Sequence, residues 1–129
     1  LDGNVAGAIT RLLDISAPIE TALAEIRALL KTAGIALDAE LAAVEARVSV
    51  LKALGVDPAK ITFTAHFGRN MEYYTGFVFE LRSADGATEL AGGGRYDNLL
   101  ELLGAPRPVT AVGCALHTER LLTAIGGEA

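Results

Sequence analysis

Hydrophobic residues in the first 55 positions of the chain recur every three or four residues, which is the spacing of one helix face. Three such stripes are present: Val5, Ile9, Leu12 and Leu13; Ile19, Leu23, Ile26 and Leu30; and Leu41, Val44, Val48 and Leu51. We expect Ser16 to cap the second helix and Gly34 to end it. We expect Asp38 to cap the third helix, which stops at Gly55. The pattern therefore predicts helical hairpins with packed apolar faces.

After Lys60, hydrophobic and polar residues alternate, as they do in half-buried strands. The pair Asp85-Gly86 is typical of a tight turn, and Gly92 to Gly94 are expected to break the sheet. The predicted elements are strands at residues 61–67, 73–81, 88–91 and 109–116, and helices at residues 95–103 and 118–124. Because short connections join the strands, we expect them to pair antiparallel. The predicted fold class is α+β.

The composition narrows the classes of partner. The chain has 129 residues, enough for one domain with a core, and its net charge of −5 argues against a nucleic-acid surface built from general positive charge. The single cysteine, Cys114, excludes an internal disulfide, fits a reducing compartment and is expected to be buried. No transmembrane-length apolar run or secretory signal is present, so no membrane partner is expected. Because residue 1 is Leu1 rather than Met, we expect a piece of a longer protein.

Three stretches combine glycine with polar or aromatic residues: RNMEYYTGFVFE from Arg69, GGGRYDNLL from Gly92 and VGCALHTERL from Val112. A guanidinium such as that of Arg69 suits a carboxylate or phosphate, and a surface ion pair with Glu72 is the alternative. Glycines ahead of a helix either let a ligand approach the backbone or form a hinge. Small residues around Gly113 leave room for a flat ligand, and Arg120 either binds an anion or lies free on the surface.

In this order, the three stretches resemble the catalytic core of histidyl-tRNA synthetase and its relatives over residues 61 to about 124. The helical region is similar only in type to a segment inserted ahead of these motifs. The resemblance implies part of a class II synthetase-like antiparallel sheet with flanking helices, preceded by an N-terminal helical segment. The residues that it implies are Arg69, Tyr73, Tyr74 and Tyr96 for a histidine pocket, and Gly113, His117 and Arg120 for a nucleotide site.

The same resemblance implies a role for each residue. Arg69 would lie against the amino-acid carboxylate and the reacting phosphate, and Tyr73 and Tyr74 would line the histidine pocket. Tyr96 would lie near the bound imidazole, and Arg120 would hold the terminal phosphate of ATP.

Departures from the synthetase pattern indicate a paralogue that does not aminoacylate tRNA. Asn70-Met71-Glu72 stands where the family has Gly-Leu-Asp, and His117 stands where a glycine is expected near adenine, so the nucleotide site is expected to be vestigial. The chain also ends soon after the last motif, where a synthetase would continue into an anticodon-binding domain. The sequence is therefore similar to the regulatory subunits of ATP phosphoribosyltransferase, a synthetase-like family of histidine biosynthesis.

This second resemblance implies a subunit with no catalytic residue, cofactor or metal of its own. It would assemble with a short-form catalytic subunit, a glycosyltransferase, bind free L-histidine and transmit feedback inhibition. It would be a cytoplasmic homo-oligomer without a nucleic-acid or membrane partner. The implied division is an insertion-like helical segment at residues 1–56 and the C-terminal part of a synthetase-like domain at residues 57–129. Two alternatives stay open: a fragment of a true histidyl-tRNA synthetase, and an interaction module in which the motifs survive only as packing.

Overall fold

The computed structural model describes residues 3–68 and 73–126, and the chain forms two compact units, Leu1–Phe67 and Gly68–Ala129. The described elements of the first unit are α1 (Gly3–Leu13), β1 (Ser16–Pro18), α2 (Ile19–Ala33), α3 (Asp38–Ala53), a 3-10 turn (Pro58–Lys60) and β2 (Thr62–Thr64). Those of the second unit are β3 (Val78–Arg82), β4 (Glu89–Arg95), α4 (Leu99–Leu102), β5 (Val112–Leu116) and α5 (Thr118–Ala124). Helices beside antiparallel sheets confirm the α+β fold class. The predicted segment division at residues 56 and 57 stays a prediction.

The core of the first unit forms around α2, as the second stripe predicts, whereas Ile9 and Leu13 of the first stripe are each 42 % exposed, contrary to the prediction. Its buried members come from α2, from α3 and from the turn after α1: Ile15, Ile19, Ala22, Leu23, Ile26, Leu30, Leu41 and Val48. Half-buried Phe63 of β2 and Val44 of α3 pack against this cluster. Outside the core, Arg27 of α2 forms an ion pair with Glu45 of α3, and Lys52 pairs with Glu20 at 2.7 Å. Burial of apolar side chains therefore stabilises this unit, since such exposed ion pairs contribute little to the free energy of unfolding.

The two predicted N-terminal caps are wrong, whereas the predicted helix end at Gly34 is confirmed. Ser16 lies in β1, which pairs antiparallel with β2, and its hydroxyl is 3.0 Å from that of Thr64. Leu37 occupies the N-cap position of α3 and forms no side-chain capping hydrogen bond, and Asp38 is the first residue of the helix. Gly34 ends α2 with a φ of 66°, a left-handed conformation that favours glycine. Ser16 is used for strand pairing because β1 leads directly into α2.

Replacing Leu23 with alanine is expected to lower the free energy of unfolding of the first unit by about 2–5 kcal/mol, because it leaves a cavity in the α2 core. Leu23 retains only 8 % of its exposure. The matched control is Leu54→Ala, since Leu54 is 76 % exposed and should change stability by less than about 0.5 kcal/mol. Urea unfolding of the two variants measures both effects, and equal losses would contradict this assignment of the core.

The second unit is built on a three-stranded antiparallel sheet in the order β3-β4-β5. The register pairs Gly94 of β4 with Val78 on one side and with Gly113 on the other, so these three residues share one face. The prediction that Gly92 to Gly94 break the sheet is wrong, because all three are buried inside β4. Glycine inside a strand often marks a close approach of other groups, and that is its use here.

Other elements differ from the sequence prediction mainly at their ends. The strand predicted from residue 73 begins at Val78, the helix predicted at residues 95–103 shrinks to α4, and the strand predicted at residues 61–67 shrinks to β2. The final helix is confirmed as α5. Cys114 is exposed, contrary to expectation, as are all the residues of β5 except Gly113. No helix in the described part of the chain has both the length and the apolar character needed to cross a membrane.

The turn predicted at Asp85-Gly86 is confirmed between β3 and β4. Gly86 has a φ of 73°, and the hydroxyl of Ser83 donates to the Asp85 carboxylate, as does the backbone N–H of Ala87. These hydrogen bonds, chiefly the one from Ser83, hold the pKa of Asp85 below its ordinary value. The turn connects β3 to β4, and a register irregularity between Leu81 and Arg82 separates it from the level at which Val78 meets Gly94.

Candidate functional site

All three tyrosines of the chain form one aromatic cluster in the second unit. The ring centroids of Tyr73 and Tyr74 are 4.6 Å apart, and the ring of Tyr96 lies 5.5 Å from that of Tyr73 and 6.3 Å from that of Tyr74. Tilted and edge-to-face pairs of this kind contribute about 0.5–1.5 kcal/mol each beyond burial. The structure therefore brings together three of the four residues predicted for the histidine pocket. The fourth, Arg69, and its neighbours Asn70-Met71-Glu72 lie outside the described residues.

Two rings of the tyrosine cluster pack against glycines of β4 and β5. A Cβ atom on Gly94 would come within 2.9 Å and 3.0 Å of two ring carbons of Tyr74. A Cβ atom on Gly113 would meet the hydroxyl of Tyr96 and come within 3.4 Å of its Cζ. Because Gly94 and Gly113 are register partners, both rings lie over the same face of the sheet. Bare backbone at these two positions is what allows the rings to approach β4 and β5.

Asp97, to which the sequence analysis gave no role, connects the segments that carry the tyrosines. Its Oδ2 accepts a hydrogen bond from Nε of Arg95 at 2.6 Å, and its Oδ1 accepts one from the N–H of Ala111 at 3.1 Å. Its own N–H donates to the hydroxyl of Thr75 at 3.0 Å. The signal was present in the sequence, since Asp97 directly follows Tyr96 in the glycine-rich stretch. Only the fold reveals that its partners lie 22 and 14 residues away along the chain.

The three residues predicted for a vestigial nucleotide site do not lie together. Gly113 lies beneath Tyr96, whereas His117 follows the far end of β5, about 13 Å further along an extended strand. Nε2 of His117 is 3.8 Å from Oε1 of Glu89, and Nη1 of Arg120 donates to the backbone carbonyl of Glu89 at 3.1 Å. His117 and Arg120 therefore meet at Glu89 near the start of β4, and Gly113 belongs to the tyrosine cluster.

The chemistry of the tyrosine cluster suits a flat heteroaromatic ligand. Phenol hydroxyls both donate and accept hydrogen bonds, and the ring faces stack on aromatic groups or attract cations. Tyrosine side chains can therefore recognise a heteroaromatic ligand both when its ring is protonated and when it is neutral and carries one N–H. Within residues 3–68 and 73–126, no group of three or more His, Cys, Asp or Glu side chains is placed to hold a metal ion.

A comparison with protein families decides which family this architecture represents. The family model described as histidyl-tRNA synthetase matches residues 1–121, which include the first unit and most of the second unit. The chain belongs to the histidyl-tRNA synthetase family. The family match also covers the N-terminal helices, for which the sequence resemblance was one of type only.

Curated relatives and a solved structure refine this family assignment. A protein of Allorhizobium ampelinum named ATP phosphoribosyltransferase regulatory subunit is 42 % identical over 94 % of this chain and 32 % of its own length. Proteins of the same name from Rhizobium rhizogenes and Rhizobium meliloti are 40 % and 39 % identical, over 96 % and 97 % of this chain and 33 % of their own lengths. The chain spans about a third of the length of these relatives.

The solved structure is a histidine–tRNA ligase subunit from Alicyclobacillus acidocaldarius. It superposes with a TM-score of 0.58 at 29 % identity and covers 90 % of this chain and 38 % of its own. Together with the family match, this neighbour confirms the synthetase-like fold predicted from the sequence.

Proposed function

We propose that this chain is part of a regulatory subunit of ATP phosphoribosyltransferase that binds free L-histidine at the tyrosine cluster. The subunit performs no chemistry itself and transmits feedback inhibition to a short-form catalytic subunit, a glycosyltransferase of histidine biosynthesis. It works in the cytoplasm as a homo-oligomer. The names of the curated relatives support the regulatory role, at identities of 39–42 % for the three described above.

The observation that carries the histidine site is the packing of three tyrosine rings against one another, two of them over glycines of the sheet. The rings of Tyr73, Tyr74 and Tyr96 lie within 6.3 Å of one another, and those of Tyr74 and Tyr96 lie over Gly94 and Gly113. An imidazole needs a flat aromatic wall and hydroxyl groups that can both donate and accept, because one ring nitrogen carries a proton and the other does not. Arg69 supplies the carboxylate contact in this proposal, as the family resemblance implies.

Feedback requires that L-histidine prefer one state of the assembly over another. The coupling between a histidine site and a distant catalytic site is typically about 1–3 kcal/mol, which changes the affinity for substrate by roughly 5–150-fold. The test is the rate of the short-form catalytic subunit with and without the natural protein that carries these residues. We expect L-histidine to inhibit only the combined preparation. Inhibition of the catalytic subunit alone to the same degree would contradict the proposal.

A true histidyl-tRNA synthetase is the second candidate, because the solved neighbour is a histidine–tRNA ligase subunit. Adenylate formation needs an arginine directed at the ATP phosphates. In this chain Nη1 of Arg120 donates to the carbonyl of Glu89, and the imidazole of His117 lies beside the same residue. Histidine-dependent exchange of pyrophosphate into ATP separates the two candidates. We expect no exchange from folded protein, and exchange would favour the synthetase.

A further inference from the structure

Asp97 lies at the point where three segments of the second unit meet. Besides its own bonds, the N–H of Thr75 donates to the carbonyl of Arg95 at 2.9 Å, and the N–H of Tyr96 donates to the carbonyl of Ala111 at 2.8 Å. The segment before β3, the end of β4 and the segment before β5 are thereby held together. Thr75 directly follows Tyr74, and Asp97 directly follows Tyr96. The link between Thr75 and Asp97 therefore joins the chain neighbours of two cluster tyrosines.

The chemistry at this junction calls for a carboxylate. The donors from Arg95 and Ala111 approach different oxygens of Asp97, so both oxygens must accept. An ionised carboxylate accepts hydrogen bonds at both oxygens, whereas a side-chain amide accepts at its oxygen and donates from its NH₂ group. In Asp97→Asn, one of the two donors would therefore face an NH₂ group. The backbone bond between Tyr96 and Ala111 would remain, so the strand pairing should survive the change.

We propose that Asp97 is a positioning residue that sets the separation of Tyr74 and Tyr96 and thereby the affinity of the cluster for histidine. The affinity part rests on the proposed function, whereas the positioning part does not. Asp97 does not contact the ligand in this account. It fixes the segments that hold the two tyrosines, so that their rings stay 6.3 Å apart over Gly94 and Gly113. A site held in this way needs no rearrangement of its aromatic walls when a ligand enters.

The test uses a spectroscopic property of the chain. It has no tryptophan, and all three tyrosines are in the cluster, so near-ultraviolet circular dichroism of the 129-residue chain reports mainly on this cluster. We expect Asp97→Asn to reduce the tyrosine signal while the far-ultraviolet spectrum is kept. Thr75→Val removes the hydroxyl that accepts from the backbone N–H of residue 97, a bond that Asp97→Asn keeps, and should also reduce the tyrosine signal. Asp85→Asn is the matched control, since Asp85 also accepts two hydrogen bonds, but in the β3–β4 turn.

In the natural protein that carries these residues, Asp97→Asn is expected to weaken binding of L-histidine about tenfold, and Asp85→Asn to leave it unchanged. A wild-type tyrosine signal in Asp97→Asn would overturn the positioning role of the carboxylate, whatever the signal of Thr75→Val. Unfolding of both variants would also overturn it, because Asp97 would then be needed for the fold rather than for the pocket. Loss of the tyrosine signal without any histidine binding by the wild-type protein would support positioning and reject the proposed function.

Discussion

Replacing Gly93 with alanine is expected to unfold the three-stranded sheet. A Cβ atom at this position would meet the backbone oxygen of Gly113 and would come within 2.6 Å and 2.7 Å of Cβ and Cα of Cys114. These are mostly backbone atoms of the paired strand, so a side-chain rotation cannot relieve the contact. Overpacking in ordinary cores costs about 1–3 kcal/mol, and this contact should cost at least the upper value. The measurement is urea unfolding followed by circular dichroism.

Gly76→Ala is the matched control for Gly93→Ala in the same unit. Among the described residues, a Cβ atom on Gly76 would meet only the side chain of Arg95, at 3.7 Å, which is an ordinary contact. The two variants make the same chemical change, so they separate the effect of space from the general effect of replacing glycine. If Gly76→Ala and Gly93→Ala have the same midpoint of unfolding, β4 and β5 do not approach each other as described.

Replacing Tyr96 with alanine is expected to reduce the affinity for L-histidine by at least about thirtyfold, as is typical when a central aromatic anchor is truncated. The ring of Tyr96 contacts both other tyrosines, and its hydroxyl lies over Gly113. The change removes one wall of the cluster and leaves the other two rings without their edge-to-face partner. Equilibrium dialysis of labelled L-histidine against the natural protein measures the loss.

Phe77→Ala is the control for the Tyr96 experiment. Phe77 is 45 % exposed, and its ring stacks on that of Phe79 with the two centroids 5.9 Å apart. This variant removes an aromatic ring from the same unit and should bind histidine as the wild-type protein does. A Tyr96→Ala variant that is folded and binds as tightly as Phe77→Ala would exclude the tyrosine cluster as the histidine site.

The buried face of α2 could be predicted well from the sequence, because a three-to-four spacing identifies such a face whatever it packs against. The first stripe was predicted less well, since Ile9 and Leu13 of α1 are each 42 % exposed. Ile19, Leu23, Ile26 and Leu30 are all buried as the stripe predicts. The ends were less predictable, because a cap depends on the path of the preceding segment. Ser16 has the chemistry of a cap, but its pairing with Thr64 places it in a strand. That pairing joins residues 48 positions apart and leaves no local signal.

The glycine run shows why the sheet was harder to predict than the helices. Local rules treat three consecutive glycines as the end of a strand, since glycine is conformationally free and buries no side chain. In this fold the neighbours of Gly93 and Gly94 provide the restraint. Gly93 faces the backbone of β5, and Gly94 faces the ring of Tyr74 and the carbonyl of Phe77. These neighbours come from other segments, so a window along the sequence could not identify them.

The candidate site was predictable in its residue types but not in its connections. Motif resemblance selected Tyr73, Tyr74 and Tyr96, and the structure places their rings in contact. The same resemblance grouped Gly113 with His117 and Arg120, but Gly113 lies near the start of β5, whereas His117 follows its end and Arg120 lies in α5. Asp97 was missed because two of its three hydrogen bonds reach segments 22 and 14 residues away, which its position in a motif does not indicate.

A calorimetric titration of L-histidine into the natural protein that carries these residues tests the tyrosine cluster most directly. We expect saturable binding, which Tyr96→Ala weakens by at least about thirtyfold and Phe77→Ala leaves unchanged. A folded wild-type protein that gives no binding heat at several temperatures would contradict the central claim that the tyrosine cluster is a histidine site.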